Sequence, residues 1–297
     1  MEQHLRSDNP VLGVRVRKRA APYLLSFPGG LWLIAFFLVP LVAILSVSLQ
    51  TGNPIKGYAL TWHFSEYVTA VKTYHTQFIR SFIYGGASTL LALLLMYPVA
   101  YWIAFRGGRH KSTYLLLILL PFFVSFLIRT LAWQFILADQ GMVLGTLKTW
   151  HLLPQTLHVL STPWAVIAGL TYNELPFMAL PLYVALEKID RSVIEAGADL
   201  YANKTQRFLR VILPLSSAGV YAGILLVFVT NVGDYVSAAL LGGPSTTMIG
   251  NIIQTQYLEN SDYPMASALS TILMGALLIG MYLYARTFGT ESIEEYV

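Results

Sequence analysis

Six stretches of this chain, at roughly residues 28–49, 81–105, 113–137, 163–186, 214–240 and 265–288, are each apolar over about the length of a bilayer crossing. About 20 such residues span the hydrocarbon core, and a lone segment there satisfies its own backbone only as a helix. The chain is therefore expected to be an all-α integral membrane protein of six spans. Composition supports that class, since only 11% of the 297 residues are charged, against about 25% in soluble domains. The first run, from about Leu24 to Leu49 behind Arg15, Arg17, Lys18 and Arg19, is too long for a signal-peptide core. It also has no small-x-small cleavage site, so it is expected to remain as the first span.

Orientation follows from the basic residues between spans. Arg6, Arg15, Arg17, Lys18 and Arg19 precede the first span, Arg106, Arg109 and Lys111 follow the second, and Lys188, Arg191, Lys204, Arg207 and Arg210 follow the fourth. With Arg286 near the end of the sixth, 14 of the 19 basic residues fall on one side, which places both termini in the cytoplasm. The net charge of +4 thus sets topology and is not read as nucleic-acid affinity. Residues 1–27 and 289–297 are the expected cytoplasmic tails, and residues 28–288 one membrane domain. The outer loop 50–80, with Trp62, Phe64, Tyr67 and Tyr74, is expected to hold short interfacial helices. No cysteine is present, so disulfides and thiol ligation are excluded.

The cytoplasmic loop 188–213 is long for a chain of this kind. Ile194, Ala198, Tyr201 and Phe208 recur at helical spacing and make a narrow apolar face, with Arg191 and Glu195 on the other. Asn203 followed by Gln206 reads as a capping box, so a second helix starts near Lys204 and enters the fifth span at Pro214. Ala196, Gly197 and Ala198 are small enough to let another surface approach.

Glu195-Ala196-Gly197, three residues, Tyr201, nine residues, then Val211-Ile212-Leu213-Pro214 resembles the E-A-A…G…I-x-L-P signature of ABC importer permeases. Gly197 stands for the second alanine. Tyr201 stands for the turn glycine, so the turn falls to Asn203. Further stretches from about residue 80 onward are similar to the spermidine/putrescine type of these permeases. They are Leu127 to Trp133, Leu175 to Tyr183, Glu187 to Asp190, Leu240 to Pro244, Met248 to Asn251 and Tyr263 to Ala268. The resemblance implies a six-span type I ABC importer permease fold with a cytoplasmic coupling helix loop, in a bacterial inner membrane. Glu195, Ala196, Gly197, Ala198, Asp199, Tyr201, Leu213 and Pro214 are then the expected ATPase-coupling residues. It also implies partners: a second homologous permease subunit, an ATP-binding subunit dimer that uses ATP and Mg, and an extracytoplasmic solute-binding protein.

Charges inside a membrane cost at least about 2.5–3.5 kcal/mol each, so each is a candidate for function. Glu174 falls near mid-depth of the fourth span, while Asp234 and Arg129 fall in the outer parts of the fifth and third. A transported polycation needs carboxylates for its ammonium groups and aromatic faces beside them. Asp234, Glu174, Trp133, Tyr172 and Tyr235 supply both. Arg129 would repel a cation, so its expected part is a gating or structural charge, paired with a carboxylate inside the bundle. Gly219 and Gly223 form a small-xxx-small pair for close helix packing, within the chain or against a partner.

The chain has no phosphate loop: in the stretch ending Lys111-Ser112-Thr113, His110 and Phe105 stand at the two glycine positions. No nucleophile–base set and no metal-ligand spacing among the six histidines is present. An enzyme is not expected, and no cofactor is expected on this chain. The alternatives are a lone secondary transporter or channel using Glu174 and Asp234 as ion sites, or an ABC importer of another small solute.

Overall fold

The computed structural model describes residues 27–53, 55–199 and 203–288. Helix α1 (Phe27–Val47) packs on α12 (Tyr263–Phe288) at the edge of the bundle and is otherwise exposed. Between them lie α2 (Ser65–Arg106), α3 (Gly108–Phe123), α4 (Phe126–Leu137), the short α5 (Leu144–Thr149) and α6 (Pro163–Glu187). The coupling loop holds α7 (Arg191–Asp199) and α8 (Lys204–Leu215), followed by α9 (Ser217–Gly233), α10 (Val236–Leu241) and α11 (Ile249–Gln254). Among the described residues the architecture is all-α apart from one hairpin, and α2, α6 and α9 form its centre.

Among the described residues, three helices (α1, α2 and α12) are long and apolar enough to cross a bilayer unaided, and two bent pairs (α3 with α4, α8 with α9) bring the number to five if each pair is one span. The sixth crossing is α6. Its 25 residues reach about 37 Å at 1.5 Å per residue, more than the roughly 30 Å core. Because α2 and α9 cover much of it, α6 carries polar residues that a lipid-facing helix would not. Thr162 caps its start, accepting from the Ala165 N–H at 3.3 Å, with Pro163 at the first helical position.

Three expected spans differ from the structure. The second does not begin near 81: α2 is 42 residues long and kinks at Tyr74, where φ is −113° and ψ 15°. The part before the kink is the helical piece anticipated in the outer loop. That loop also contains a hairpin not foreseen there, β1 (Gln50–Asn53) and β2 (Gly57–Leu60), with Gln50 opposite Leu60 and Asn53 opposite Gly57. Asn53 Oδ1 accepts from the Ile55 and Lys56 N–H groups and closes the turn. The third span is broken, because Val124 and Ser125 are extended and α3 and α4 meet at 87°. Pro121 in the preceding turn cannot donate to a continuing helix. The fifth bends by 63° at Ser216 and stops at Gly233 instead of running to residue 240.

Lipid tails are as apolar as leucine side chains, so helices in a bilayer associate by close packing. Gly219 and Gly223 serve this purpose within the chain. A Cβ at Gly219 would lie 2.5 Å from both the Pro181 carbonyl oxygen and Ala185 Cβ, and one at Gly223 would lie 2.7 Å from Met178 Sδ. Both glycines seat α9 on α6.

Candidate functional site

The coupling loop is built from two capped helices. Asp190 Oδ1 accepts from the Ser192 N–H at 2.9 Å and starts α7. Asn203 Oδ1 accepts from the Gln206 N–H at 2.8 Å, while Gln206 Oε1 accepts from the Asn203 N–H at 3.0 Å. The capping box at the start of α8 is therefore present, with Asn203 in an extended conformation and not left-handed. Tyr201, whose exchange for glycine concerns the turn itself, lies outside the described residues.

Ile194 and Phe208 pack against the inner core with Leu186, Ile212 and Tyr97. Phe208 meets the Tyr97 ring edge-on at 5.6 Å and the Tyr101 ring at 6.1 Å. Glu195, Ala196 and Asp199 are exposed, Gly197 is half-buried, and Leu213 and Pro214 are exposed where α8 approaches the membrane. Substitution of Gly197 by alanine would put Cβ in ordinary contact with the stem of Arg207, 3.5 Å away, so the departure from the family pattern is sterically mild.

Three polar contacts lie at or beside this loop. Tyr97 Oη and Ser216 Oγ lie 2.8 Å apart and join α2 to the bend between α8 and α9. Arg191 donates to the Phe105 carbonyl at 3.3 Å, at the end of α2. Lys111 Nζ lies 2.8 Å from both carboxylate oxygens of Glu187.

The second site is a polar cluster inside the bundle where α4, α6 and α10 meet. Trp133 and Tyr172 are brought together edge-on at 5.4 Å. Asn173, buried, donates to Thr130 Oγ1 at 3.1 Å and to Ser237 Oγ at 3.4 Å, tying the three elements to one another. Asp234 sits in the turn after α9, not within a continuous span. Its Oδ1 accepts from the Val236 N–H at 2.7 Å and the Ser237 N–H at 3.1 Å, capping α10. Tyr235 beside it is exposed. Glu174 is half-buried, Oε2 is buried with no hydrogen-bond partner, and the charges of Asp234 and Arg129 both act on it.

The ion pair expected for Arg129 is not formed: among the described residues, no carboxylate lies within 4.0 Å of it. Two features of the fold explain this. Asp234 is committed to its cap, and the break at Val124–Ser125 places Arg129 in the first turn of α4, with its guanidinium 5.9 Å from the Phe126 ring centroid. Arg129 is 7% exposed, and its Nε and Nη1 are buried without partners. Each such buried, unsatisfied group costs about 1–3 kcal/mol, so this is a stressed arrangement.

Residues not anticipated hold the cluster in place. Asn251 donates to the Tyr235 carbonyl at 2.7 Å and accepts from the Met248 N–H at 3.1 Å. A Cβ at Gly250 would lie 2.7 Å from the Gly233 carbonyl oxygen. Together they clamp the backbone on either side of Asp234. Asn231 donates to Ser88 Oγ at 2.9 Å between α9 and α2. The available signal was an asparagine within or beside an apolar segment, where an amide must find partners.

Away from the cluster, Asp139 holds the loop after α4. It accepts from Lys148 Nζ at 2.8 Å and lies 2.5 Å from His158 Nδ1, and these two partners lower its pKa below the usual carboxylate value. Lys148, 4% exposed, also donates to the Gln155 carbonyl at 3.4 Å.

Residues 96–287 match the family described as binding-protein-dependent transport system inner membrane component. The spermidine/putrescine transport system permease protein PotB of Haemophilus influenzae is 37% identical over 89% of this chain and 93% of its own length. The PotB of Escherichia coli is 33% identical over 84% of this chain and 92% of its own. In fold, the chain is similar to a bacterial ABC transporter involved in the import of the acidic polysaccharide alginate. That likeness has a TM-score of 0.68 at 18% identity and covers 93% of this chain and 98% of the other.

Proposed function

The chain belongs to the family of binding-protein-dependent transport system inner membrane components, and we propose that it is the permease subunit of an ABC importer carrying a polyamine, spermidine or putrescine, inward. Residues 28–288 act as one permease domain of a bacterial inner membrane, with both termini cytoplasmic. What supports the substrate class is the pair of carboxylates Glu174 and Asp234, close enough for one charge to act on the other, together with the Trp133–Tyr172 ring pair between α4 and α6. They offer carboxylates for ammonium groups and ring faces for the adjoining charge. The names of the PotB relatives point the same way.

Transport is by alternating access. A dimer of ATP-binding subunits hydrolyses ATP with Mg and moves the exposed Glu195 surface. The contacts at Tyr97, Arg191 and Lys111 carry that motion to the spans. A second permease subunit completes the pathway, and an extracytoplasmic binding protein delivers the solute. No residue of this chain is catalytic, and it holds no cofactor. This family membership displaces the reading in which the chain works alone as a secondary transporter or channel.

Glu195→Ala is expected to abolish uptake and uncouple ATPase stimulation while assembly stays intact; unchanged uptake would remove the coupling role. Substrate class is tested by uptake competition among spermidine, putrescine and neutral analogues in a deletion strain. Equal competition by an uncharged analogue would exclude a polycation and leave an importer of another small solute.

A further inference from the structure

Lys188 stands where α6 leaves the membrane, and nothing among the described residues pairs it. It caps the C-terminal end of α6, is exposed, and has no carboxylate within 4.0 Å. Arg191 donates to a neutral group, the Phe105 carbonyl, at 3.3 Å. Of the neighbouring acids, Glu187 is matched by Lys111 at 2.8 Å, and Asp190 Oδ1 caps α7. These five residues line one cavity of about 540 Å³, and three cations against two carboxylates leave it a net charge of +1.

Lys188 and Asp190 also line a larger cavity of about 850 Å³, so the two adjoin. The larger one is a groove between α6 and α9. Leu180 and Val184 on one wall and Leu226 on the other are exposed, although large and apolar. Along α6 the groove runs from Lys188 back to Phe177, about 16 Å at 1.5 Å per residue. The hydrocarbon of one leaflet is half of roughly 30 Å. Beyond Phe177 the same stripe of α6 is buried within this chain: Asn173 is 2% exposed, Leu170 and Val166 0%. The open surface is therefore one leaflet deep, which suits an acyl chain and is too short for a helix that crosses the whole bilayer.

We propose that this groove holds an anionic phospholipid of the leaflet that Lys188 borders, the cytoplasmic one by the distribution of basic residues. One acyl chain lies between α6 and α9, and the phosphate sits at Lys188 and Arg191. Lipid tails are as apolar as leucine, so the groove accepts any tail and selectivity falls to the headgroup. A mouth of charge +1 matches a headgroup of charge −1, whereas a zwitterionic headgroup brings its own cation to the same place. One basic residue at an anionic membrane surface favours binding about fivefold. Val193 of α7 lines the same groove, so the lipid sits between the coupling loop and the bundle. The transported solute plays no part in this assignment.

The test is fluorescence quenching in the assembled permease–ATPase complex, reconstituted in nanodiscs of phosphatidylcholine. The chain has no cysteine, so Val184→Cys places one bimane label on the groove wall, and the unsubstituted complex supplies the labelling blank. Phosphatidylglycerol or phosphatidylcholine with a nitroxide on its acyl chain is then titrated in. Phosphatidylglycerol is expected to reach half-maximal quenching at a mole fraction about fivefold lower than phosphatidylcholine. Lys188→Gln should bring the two lipids within about twofold, and Lys188→Arg should keep the preference.

Equal quenching by the two lipids in the unsubstituted Lys188 background, or an undiminished preference in Lys188→Gln, overturns the inference. Quenching by neither lipid also overturns it, and is the result expected if a partner subunit covers the groove. Should Val184→Cys fail to assemble, Leu226→Cys on the opposite wall carries the same label and the same expectations.

Discussion

Asn and Ala substitutions at Asp234 separate the cap from the charge. Oδ1 accepts two N–H groups, from Val236 at 2.7 Å and Ser237 at 3.1 Å, in a half-buried turn. Removing a capping acceptor costs about 0.5–2 kcal/mol. Two donors are orphaned together here, so Asp234→Ala belongs at the upper end, about 2 kcal/mol. Asp234→Asn keeps an oxygen in the same place and should cost only about a few tenths of a kcal/mol, since Asn and Asp cap equally well. In thermal unfolding of the purified complex, the alanine variant is expected to fall by several degrees, at roughly 2–4 °C per kcal/mol. The asparagine variant should stay near the wild type.

Polyamine uptake is expected to fail in both variants, because both lose the carboxylate. Wild-type uptake by Asp234→Asn would show that Asp234 is a cap alone and leave Glu174 as the sole pathway carboxylate. An unshifted midpoint for Asp234→Ala would refute the capping argument.

Gly219→Ala should destabilise more than Gly223→Ala, by about 1–3 kcal/mol. The first pushes Cβ against the Pro181 backbone and the second against an adaptable methionine; equal melting midpoints would count against helix seating. Tyr97→Phe removes the buried link to Ser216, worth about 1 kcal/mol. It is expected to lower substrate-stimulated ATPase activity more than basal activity, and an unchanged ratio would place signal transfer elsewhere. The Asp139 carboxyl is held below its unfolded pKa by Lys148 and His158, so its contribution is fully present above about pH 4 and is lost as pH falls through its lowered value. Protease cleavage in the loop 138–162 is expected to rise only under that acidification. A rise near pH 6 would exclude Asp139 as the cause.

Several local features were legible before any contact was known. The Asn203–Gln206 box forms as its spacing demands because its partners are three residues apart, and the Ile194–Phe208 face turns inward as its periodicity requires. The breaks at Val124–Ser125 and Gly233–Asp234 were not legible. Both interrupt apolar runs that read as continuous helix, and what satisfies the freed backbone comes from elsewhere: Asn251 reaches the Tyr235 carbonyl across 16 positions of chain.

Apolar length and the distribution of lysine and arginine determined a membrane-embedded, multi-span chain and its expected orientation, because transfer into lipid is nearly a residue-by-residue quantity. Close approach is not such a quantity. Only the folded bundle decided that Gly219 faces Pro181 of the same chain, that Asp234 caps a turn, and that Arg129 stands buried without an ion-pair partner. These depend on which segments meet, and 87° at one break decides where a charge ends up.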